Sequence, residues 1–570
     1  MPLQETIRRP NDAGRHLPPR SVDQVVWIAR SRIAYALILL FGLALYLPGL
    51  RTLPAVDRDE ARFAQSSRQM LESGDYVDIR FQDEARLKKP VGIYWLQAAA
   101  TALAGGEHPA NPIWTYRLPS LLGAIGALIV VLAIGRSWFG AEPGFLAAAL
   151  LGACLLLGFE ARQAKTDAVL LFTVVVAMGG LAAAWIAPAT DRLPRRRWLS
   201  FWIAIAVGIL VKGPIILMVA GLAAVVLSLH DRSLRWLLRL RPWPGVAVAL
   251  VIVLPWLIAI TIASHGAFFS QSLGGDLAAK LAGVQESHGA PPGYFLAMFP
   301  VAFWPGSLFA LPAALWAWRN RRDRAVVFCL AWILPAWLVF ELVPTKLPHY
   351  VLPLYPAIAL LVAAFLTDRL DEARKRWPSR LMTVLWCLVG IALGAAVVAA
   401  APLADGRLSL GGILAGLAIW VLTAGAGRSA WRGGWTGSVA VCLIGAIFVW
   451  GLVFGAALPA LRAPWIAPAL KEALFDALPT GHGPVLIAGF GEPSAVLDLG
   501  TATRFGEGKD AAEFLRSEPG AIVIVGDDQR PAFDTAVRER MLDIQALTTV
   551  EGFNYAKGRR ARLTIFRRAP

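Results

Sequence analysis

Residues 56–76, VDRDEARFAQSSRQMLESGDY, and residues 86–95, RLKKPVGIYW, decide how the rest of the chain is read. They place an Asp-Glu pair and then a Lys-Pro just after the first apolar run, residues 33–50, and ahead of a long series of further apolar segments. Carboxylates and cations so placed belong at a membrane face, where they can meet a lipid-linked phosphate. The composition supports a membrane setting. Of 570 residues 57% are hydrophobic, the mean hydropathy is +0.56, and apolar stretches of about twenty residues recur, more than a soluble core requires. The net charge of +16 is assigned to cytoplasmic arginines, because no RNA- or DNA-binding motif accompanies it. Cys154, Cys329, Cys387 and Cys442 lie inside apolar stretches and read as packing residues, not as a disulfide framework or a thiolate metal cluster.

Charge distribution sets the topology. Arg8, Arg9, Arg15, Arg20, Arg30 and Arg32 precede the first apolar run, which lacks a small-residue cleavage site and reads as an uncleaved anchor with the N-terminus inside. The first span then delivers Asp57 through Lys89 to the outer face. Later basic clusters, at Arg136, Arg192 with Arg195 to Arg197, Arg232 to Arg241, Arg319 to Arg324, Arg369 to Arg380, and Arg428 with Arg432, alternate with poorly basic loops. Parity holds if residues 91–104 do not cross, and about 14 residues is short of the roughly 20 needed. About thirteen spans follow, with the C-terminus outside; residues 199–211, leading into Lys212-Gly213-Pro214, are the crossing on which the later parity depends. Beyond residues 436–458, PVLIAGF, AIVIVGDD and ARLTIFRR are short apolar runs separated by helix-like polar stretches, the pattern of a small α/β domain. Its Gly489-Phe490-Gly491 lacks the fuller glycine spacing of a nucleotide fingerprint. The organisation is thus a basic cytoplasmic N-terminus (1–32), a transmembrane domain (33–458) whose first outer loop (51–106) carries juxtamembrane helices, and an outer α/β domain (459–570).

Three outer elements carry candidate chemistry. In the first, Asp57 and Glu60 have N-cap and N3 spacing, so a capping box opening a helix that Gly74 closes is the alternative to a chemical role for Glu60. Capping does not require Asp59, which lies in the first turn with Arg62 and Phe63 one turn on. In the second, FEARQAKTDAVLLF (159–172), Glu160, Arg162, Lys165 and Asp167 stand at the mouth of two spans, where ionised side chains are functional candidates unless they snorkel into solvent. The third, VPTKLPHYVLPLYP (343–356), offers Lys346, His349, Tyr350 and Tyr355 on proline-broken backbone, which at membrane depth is tolerated where it lines a cavity. His265, His288 and His349 fall in outer loops, with no close spacing to make a metal site of them. A flippase or transporter would need a polar path across the bilayer and, commonly, two similar halves. Here the charges gather at one face and no internal repeat is evident.

The order DEARFA, KKPVGIYW, ARQAKTDAVLLF, LVKGP, a Pro-Trp after a basic loop, FWPG and TKLPHYVLPLYP resembles the bacterial aminoarabinose lipid A transferases and their dolichyl-phosphate-mannose protein mannosyltransferase relatives. The resemblance covers nearly the whole membrane part. It implies an α-helical polytopic GT-C membrane glycosyltransferase in a bacterial inner membrane, taking a sugar from a polyprenyl (undecaprenyl) phosphate at the periplasmic face with inversion and passing it to lipid A or lipopolysaccharide. The alternatives are transfer to protein Ser/Thr or another surface glycan. By position Asp59 matches the family's essential outer-loop aspartate, Lys89 the lysine that holds the carrier phosphate, and Asp167 the second acidic position, while Arg62 follows in the Asp-Glu-x-Arg motif. Phe63 stands where an aromatic hydroxyl is common, and Lys88 where relatives often carry a Glu able to join a metal site. Combined with the reading of the residues, the catalytic candidates are Asp59, Asp167 and Glu60. Lys89, Arg62 and Lys346 are candidates for the phosphate, and Arg162, Tyr94, His349, Tyr350 and Tyr355 for the pocket. No cofactor is required; a divalent metal is left open without ligand spacing to support it. The expected partners are the polyprenyl-phosphate sugar, a lipid A or other glycan acceptor and membrane lipid, with no nucleic acid.

Overall fold

The structure is a computed structural model that describes residues 29–104, 112–186, 193–272, 289–368, 377–479 and 481–569. Arg8, Arg9, Arg15, Arg20, Arg192, Arg369 and His288 lie outside the described residues. Eight described helices are long and apolar enough to cross a membrane, and Tyr294–Ala302 with Gly306–Arg319 form a bent ninth. Three shorter apolar helices, Ile33–Tyr46, Ala141–Ala153 and Ile215–Asp231, and the helix Arg195–Lys212 pack with them, so eight or nine of the thirteen expected spans have the length and composition to cross among the described residues. The outer surface of the bundle suits lipid. Along Pro242–Ala263 the side chains of Trp243, Leu250, Val251, Leu254, Ile258 and Ile262 are exposed.

A single ion pair fixes the sense of residues 199–211. Asp167 begins the helix Asp167–Ile186, and at the far end of that helix Arg239 and Arg324 donate to the carbonyls of Ala184 and Trp185. Arg195–Lys212 starts with arginines and ends with Lys212 Nζ 2.5 Å from Asp167 Oδ1. Its 18 residues, about 27 Å of helix, therefore run back along Asp167–Ile186. Gly92–Leu103, at 12 residues, is too short to span and instead lies against the first-loop helix Asp59–Ser73, where Ser67 donates to Gln97 Oε1 at 2.7 Å. A Cβ on Gly92 would stand 2.8 Å from the Leu210 carbonyl. Glycine here lets the loop assembly approach the helix that carries Lys212.

The first-loop helix begins at Asp59, with Arg58 as its N-cap residue, so the capping box expected from Asp57 and Glu60 does not form. Gly74, at φ +71°, closes it as expected, its N–H bonded to the Met70 carbonyl at 3.0 Å. Glu60 is used differently. Its Oε1 accepts from Arg117 Nε at 2.7 Å and the Ala164 N–H at 2.8 Å, and its Oε2 from the Val56 N–H at 2.8 Å and Arg117 Nη2 at 3.0 Å. Arg117, from the span Ile113–Trp138, also donates to the carbonyls of Leu50, Leu53 and Pro54. Both side chains are completely buried. A short hairpin of β1 (Arg80–Phe81) and β2 (Glu84–Ala85) links the two loop helices.

The C-terminal region is a three-layer α/β unit. Its sheet has the order β4-β3-β5-β7-β6, with β3 (Val485–Ala488), β4 (Arg504–Gly506) and β5 (Ile522–Gly526) parallel, and β6 (Ile544–Asn554) and β7 (Arg559–Arg568) antiparallel. Side chains alternate as the strand period requires. Val485, Ile487, Ile522 and Ile524 face the helix Ile466–Ala477, while Leu486, Ala488, Val523 and Val525 face Phe514 and Phe533 of the helices on the other side. The short helix Pro493–Leu499 packs on Asp59–Ser73. Removing one member of a fully buried ion pair costs about 3–5 kcal/mol. Arg117→Ala is therefore expected to lower the folded yield and midpoint of thermal unfolding in detergent far more than Arg51→Ala, at an exposed position of the same loop, and equal midpoints would contradict the structural role of the pair.

Candidate active site

Three stretches far apart in sequence meet at the end of the bundle that carries the α/β unit. Asp167, at the N-terminus of its helix where the backbone favours an anion, accepts from Lys212 Nζ at 2.5 Å and lies 3.9 Å from Lys165 Nζ. Lys165 pairs with Glu160 Oε1 at 3.2 Å. His349 bridges the two carboxylates, with Nδ1 3.7 Å from Glu160 Oε1 and Nε2 3.9 Å from Asp167 Oδ1. None of these side chains is more than 14% exposed. Tyr350 adds its ring 5.7 Å from Lys212 Nζ.

Asp59 faces this cluster from the loop side. Its side chain is solvent-accessible, with the surrounding protein close about it. Burial pushes its carboxyl pKa up, but Lys165, His349, Arg86 and Lys89 outweigh that and hold it below the ordinary aspartate value. Lys165 is correspondingly held protonated, since Glu160, Asp167 and Asp59 overcome the effect of its burial. Arg86 donates from Nε to the Tyr94 hydroxyl at 2.9 Å and lies over the Phe63 ring at 5.1 Å, and Phe63 packs against Tyr94 with centroids 5.3 Å apart. The half-buried Arg62, one turn from Asp59, makes no side-chain hydrogen bond or ion pair among the described residues.

Several candidates are tied into the scaffold instead. Glu60 is saturated by Arg117 and two backbone amides. Arg162, completely buried, donates to the carbonyls of Pro48 at 2.7 Å, Gly158 and Leu45, and packs 4.1 Å over the Phe454 ring. Lys346 donates to the carbonyls of Glu341 at 2.8 Å and Val343 at 2.6 Å, closing the end of the helix Arg324–Leu342. Tyr355 is buried among Phe299 and Phe303. Lys88 and His265 are exposed. Conversely, Lys212 and Arg86 were not among the expected site residues; the signal for Lys212 was a lysine closing an apolar span immediately before Gly-Pro.

Glu160, Asp167 and His349 bring donor atoms within 4.8 Å of one another, a spacing compatible with a divalent cation. The same carboxylates already hold Lys165 and Lys212. The local negative charge is therefore met by ammonium groups of this chain, and a metal ion would have to displace them.

The family model for dolichyl-phosphate-mannose-protein mannosyltransferase matches residues 88–258. The undecaprenyl phosphate-alpha-4-amino-4-deoxy-L-arabinose arabinosyl transferase 2 of Pseudomonas fluorescens (strain Pf0-1) is 30% identical over 404 residues, covering 68% of this chain and 70% of its own. The corresponding transferase of Pseudomonas aeruginosa PAO1 is 31% identical over 351 residues, and the chain spans only 61% of its length. In fold, the chain is similar to ArnT from Cupriavidus metallidurans bound to undecaprenyl phosphate, with a TM-score of 0.74 at 20% identity, covering 93% of this chain and 97% of that one. The apo form of that protein gives a TM-score of 0.69. On this coverage and identity, the chain belongs to the family of undecaprenyl phosphate-aminoarabinose arabinosyl transferases, membrane glycosyltransferases of the GT-C type.

Proposed function

We propose that the protein is an inverting glycosyltransferase that moves an aminoarabinose-like sugar from undecaprenyl phosphate to lipid A or lipopolysaccharide at the periplasmic face of a bacterial inner membrane. In this reading residues 1–32 are cytoplasmic, 33–458 form the catalytic membrane domain and 459–570 are periplasmic. The observation that carries it is the convergence of Asp59 with Lys165, His349, Arg86 and Lys89 at one end of the bundle, beside an Arg62 whose guanidinium has no hydrogen bond or ion pair among the described residues. The relatives named above support the donor, since their names and the bound carrier describe an undecaprenyl-phosphate-linked aminoarabinose and its carrier for them; the acceptor is part of the reading proposed here.

The reaction breaks the bond between the anomeric carbon and the phosphate oxygen, so negative charge develops on the leaving phosphate and positive charge on the sugar ring. Arg62 and Lys89 are assigned to the phosphate. Asp59 is assigned to the sugar side, where an ionised carboxylate stabilises the oxocarbenium character and orients the attacking oxygen. Lys212 and Lys165 fix Asp167, which with His349 and Tyr350 forms the opposite wall of the pocket. A phosphate acceptor is already ionised near neutral pH and attacks without a base; a hydroxyl acceptor would give Asp59 that role. No resident metal is assigned, because lysine and arginine supply the positive charge.

Mass spectrometry of lipid A and core oligosaccharide from cells with and without the protein tests this reading. A single sugar mass should disappear in its absence, return with the wild-type chain and stay absent with Asp59→Asn, which is expected to lower transfer about 10²–10⁴-fold while remaining folded. Unchanged glycolipid together with an altered glycoprotein would move the acceptor to protein, as the mannosyltransferase match to residues 88–258 would then suggest.

The pH dependence follows from the direction of the Asp59 shift. A carboxyl held below its ordinary value stays ionised as pH falls through 5, so Asp59 should impose no acid limb on the transfer rate above the usual carboxylate range. Lys89→Met removes one of the groups holding it down and should move that limb to higher pH, read from rate profiles in vesicles between pH 4 and 8. An unmoved limb with residual activity would show that Lys89 does not act on Asp59.

A further inference from the structure

The C-terminal α/β unit has no part in the chemistry described so far, yet it touches the chain at the residues immediately before Asp59. Arg58 adopts φ +67° and ψ −98°, a conformation that residues with a Cβ rarely take and keep only where their surroundings enforce it. The contacts that enforce it come from 498 residues away. The Tyr555 hydroxyl accepts from the Asp57 N–H at 2.7 Å, and Arg58 Nη2 donates to the Ala556 carbonyl at 2.7 Å. The Ser494 N–H, at the start of the helix Pro493–Leu499, donates to Asp57 Oδ1 at 3.1 Å.

The other side of this seam is itself rigid. Tyr555 and Ala556 occupy the turn between β6 and β7; Asn554 donates to Glu492 at 2.9 Å and accepts from the Lys557 N–H at 3.1 Å, and Tyr555 packs edge-on against Trp465. Farther along, Arg68 donates to the Leu497 carbonyl and Gln65 to Thr501 Oγ1, each at 2.7 Å, while Thr501 donates to Glu72 at 2.9 Å. Residues 65, 68 and 72 share one face of the first-loop helix, so the whole helix is seated against the unit, and the seam ends at the strained residue.

We propose that the C-terminal domain is a positioning clamp for the active site: the β6–β7 turn, through Tyr555 and the Ala556 carbonyl, holds Asp57 and Arg58 in the conformation that points Asp59 at the cation cluster. Tyr555 and Arg58 are positioning residues, acting through Asp59. This rests on the role of Asp59 in the proposed transfer. Misplacement of a reacting group by about 1 Å is enough to lose rate on the order of 10²-fold, without change in how the remote parts of a substrate bind.

The test uses the full-length protein in nanodiscs, wild type and Tyr555→Phe, Arg58→Ala and Arg58→Lys. Two readouts are taken: hydrogen exchange of the peptide covering residues 55–62, and kcat and KM for an undecaprenyl-phosphate sugar. Tyr555→Phe, which removes a single oxygen, and Arg58→Ala should speed exchange at residues 56–60 while leaving the sheet protected. They should also lower kcat about tenfold or more with KM within about twofold, and Arg58→Lys should recover most of the loss. Unchanged exchange in both variants, or faster exchange with unchanged kcat, would overturn the clamp. If the wild-type chain transfers no sugar, the proposed reaction fails, and the exchange data still decide whether the turn holds the loop.

Discussion

The buried pair of Glu60 and Arg117 is the constraint on which the site depends. A charge removed from water is tolerated when paired and hydrogen-bonded, and this pair satisfies its remaining valences with the carbonyls of Leu50, Leu53 and Pro54 and the amides of Val56 and Ala164. Those backbone groups belong to the end of the first span, the loop that leads to Asp59, and the turn that leads to Asp167. One ion pair thus ties both acidic elements of the site to one transmembrane helix. The loop helix cannot shift without parting Glu60 from Arg117 and leaving that buried guanidinium without its carboxylate.

With that geometry set, the electrostatics follow. Lys165 and Lys212 pair with Asp167, while Lys165, Arg86 and Lys89 hold the Asp59 carboxyl below its ordinary pKa. The arrangement is suited to a reaction that separates a sugar cation from a phosphate anion, with opposite charges already placed before substrate arrives. Lys165 and Lys212 pair directly with Glu160 and Asp167.

Much of the helical fold was legible because the bilayer imposes a length on apolar segments. The direction of residues 199–211 is shown by a side-chain pair, Asp167 with Lys212, whose partners lie 45 positions apart. The acidic positions and the His349-Tyr350 segment could be read because ionised and broken stretches at a membrane face are conspicuous. Glu60 could not be told from a catalytic acid, since its partner Arg117 sits inside an otherwise apolar span. Arg162 and Lys346 looked like pocket or phosphate groups but serve backbone carbonyls at helix ends, and a carbonyl leaves no mark in a sequence. The same holds for the C-terminal unit, whose hold on Arg58 passes through the main chain of Ala556.

The central claim is that the first loop presents Asp59 to the sugar while Arg62 and Lys89 take the carrier phosphate. A cryo-EM structure with a non-cleavable undecaprenyl phosphonate sugar addresses it most directly. The account predicts the phosphonate within hydrogen-bond reach of Arg62 and Lys89, with the anomeric carbon between Asp59 and the Asp167 wall. A phosphonate bound elsewhere, with Asp59 turned away from the sugar, would contradict it.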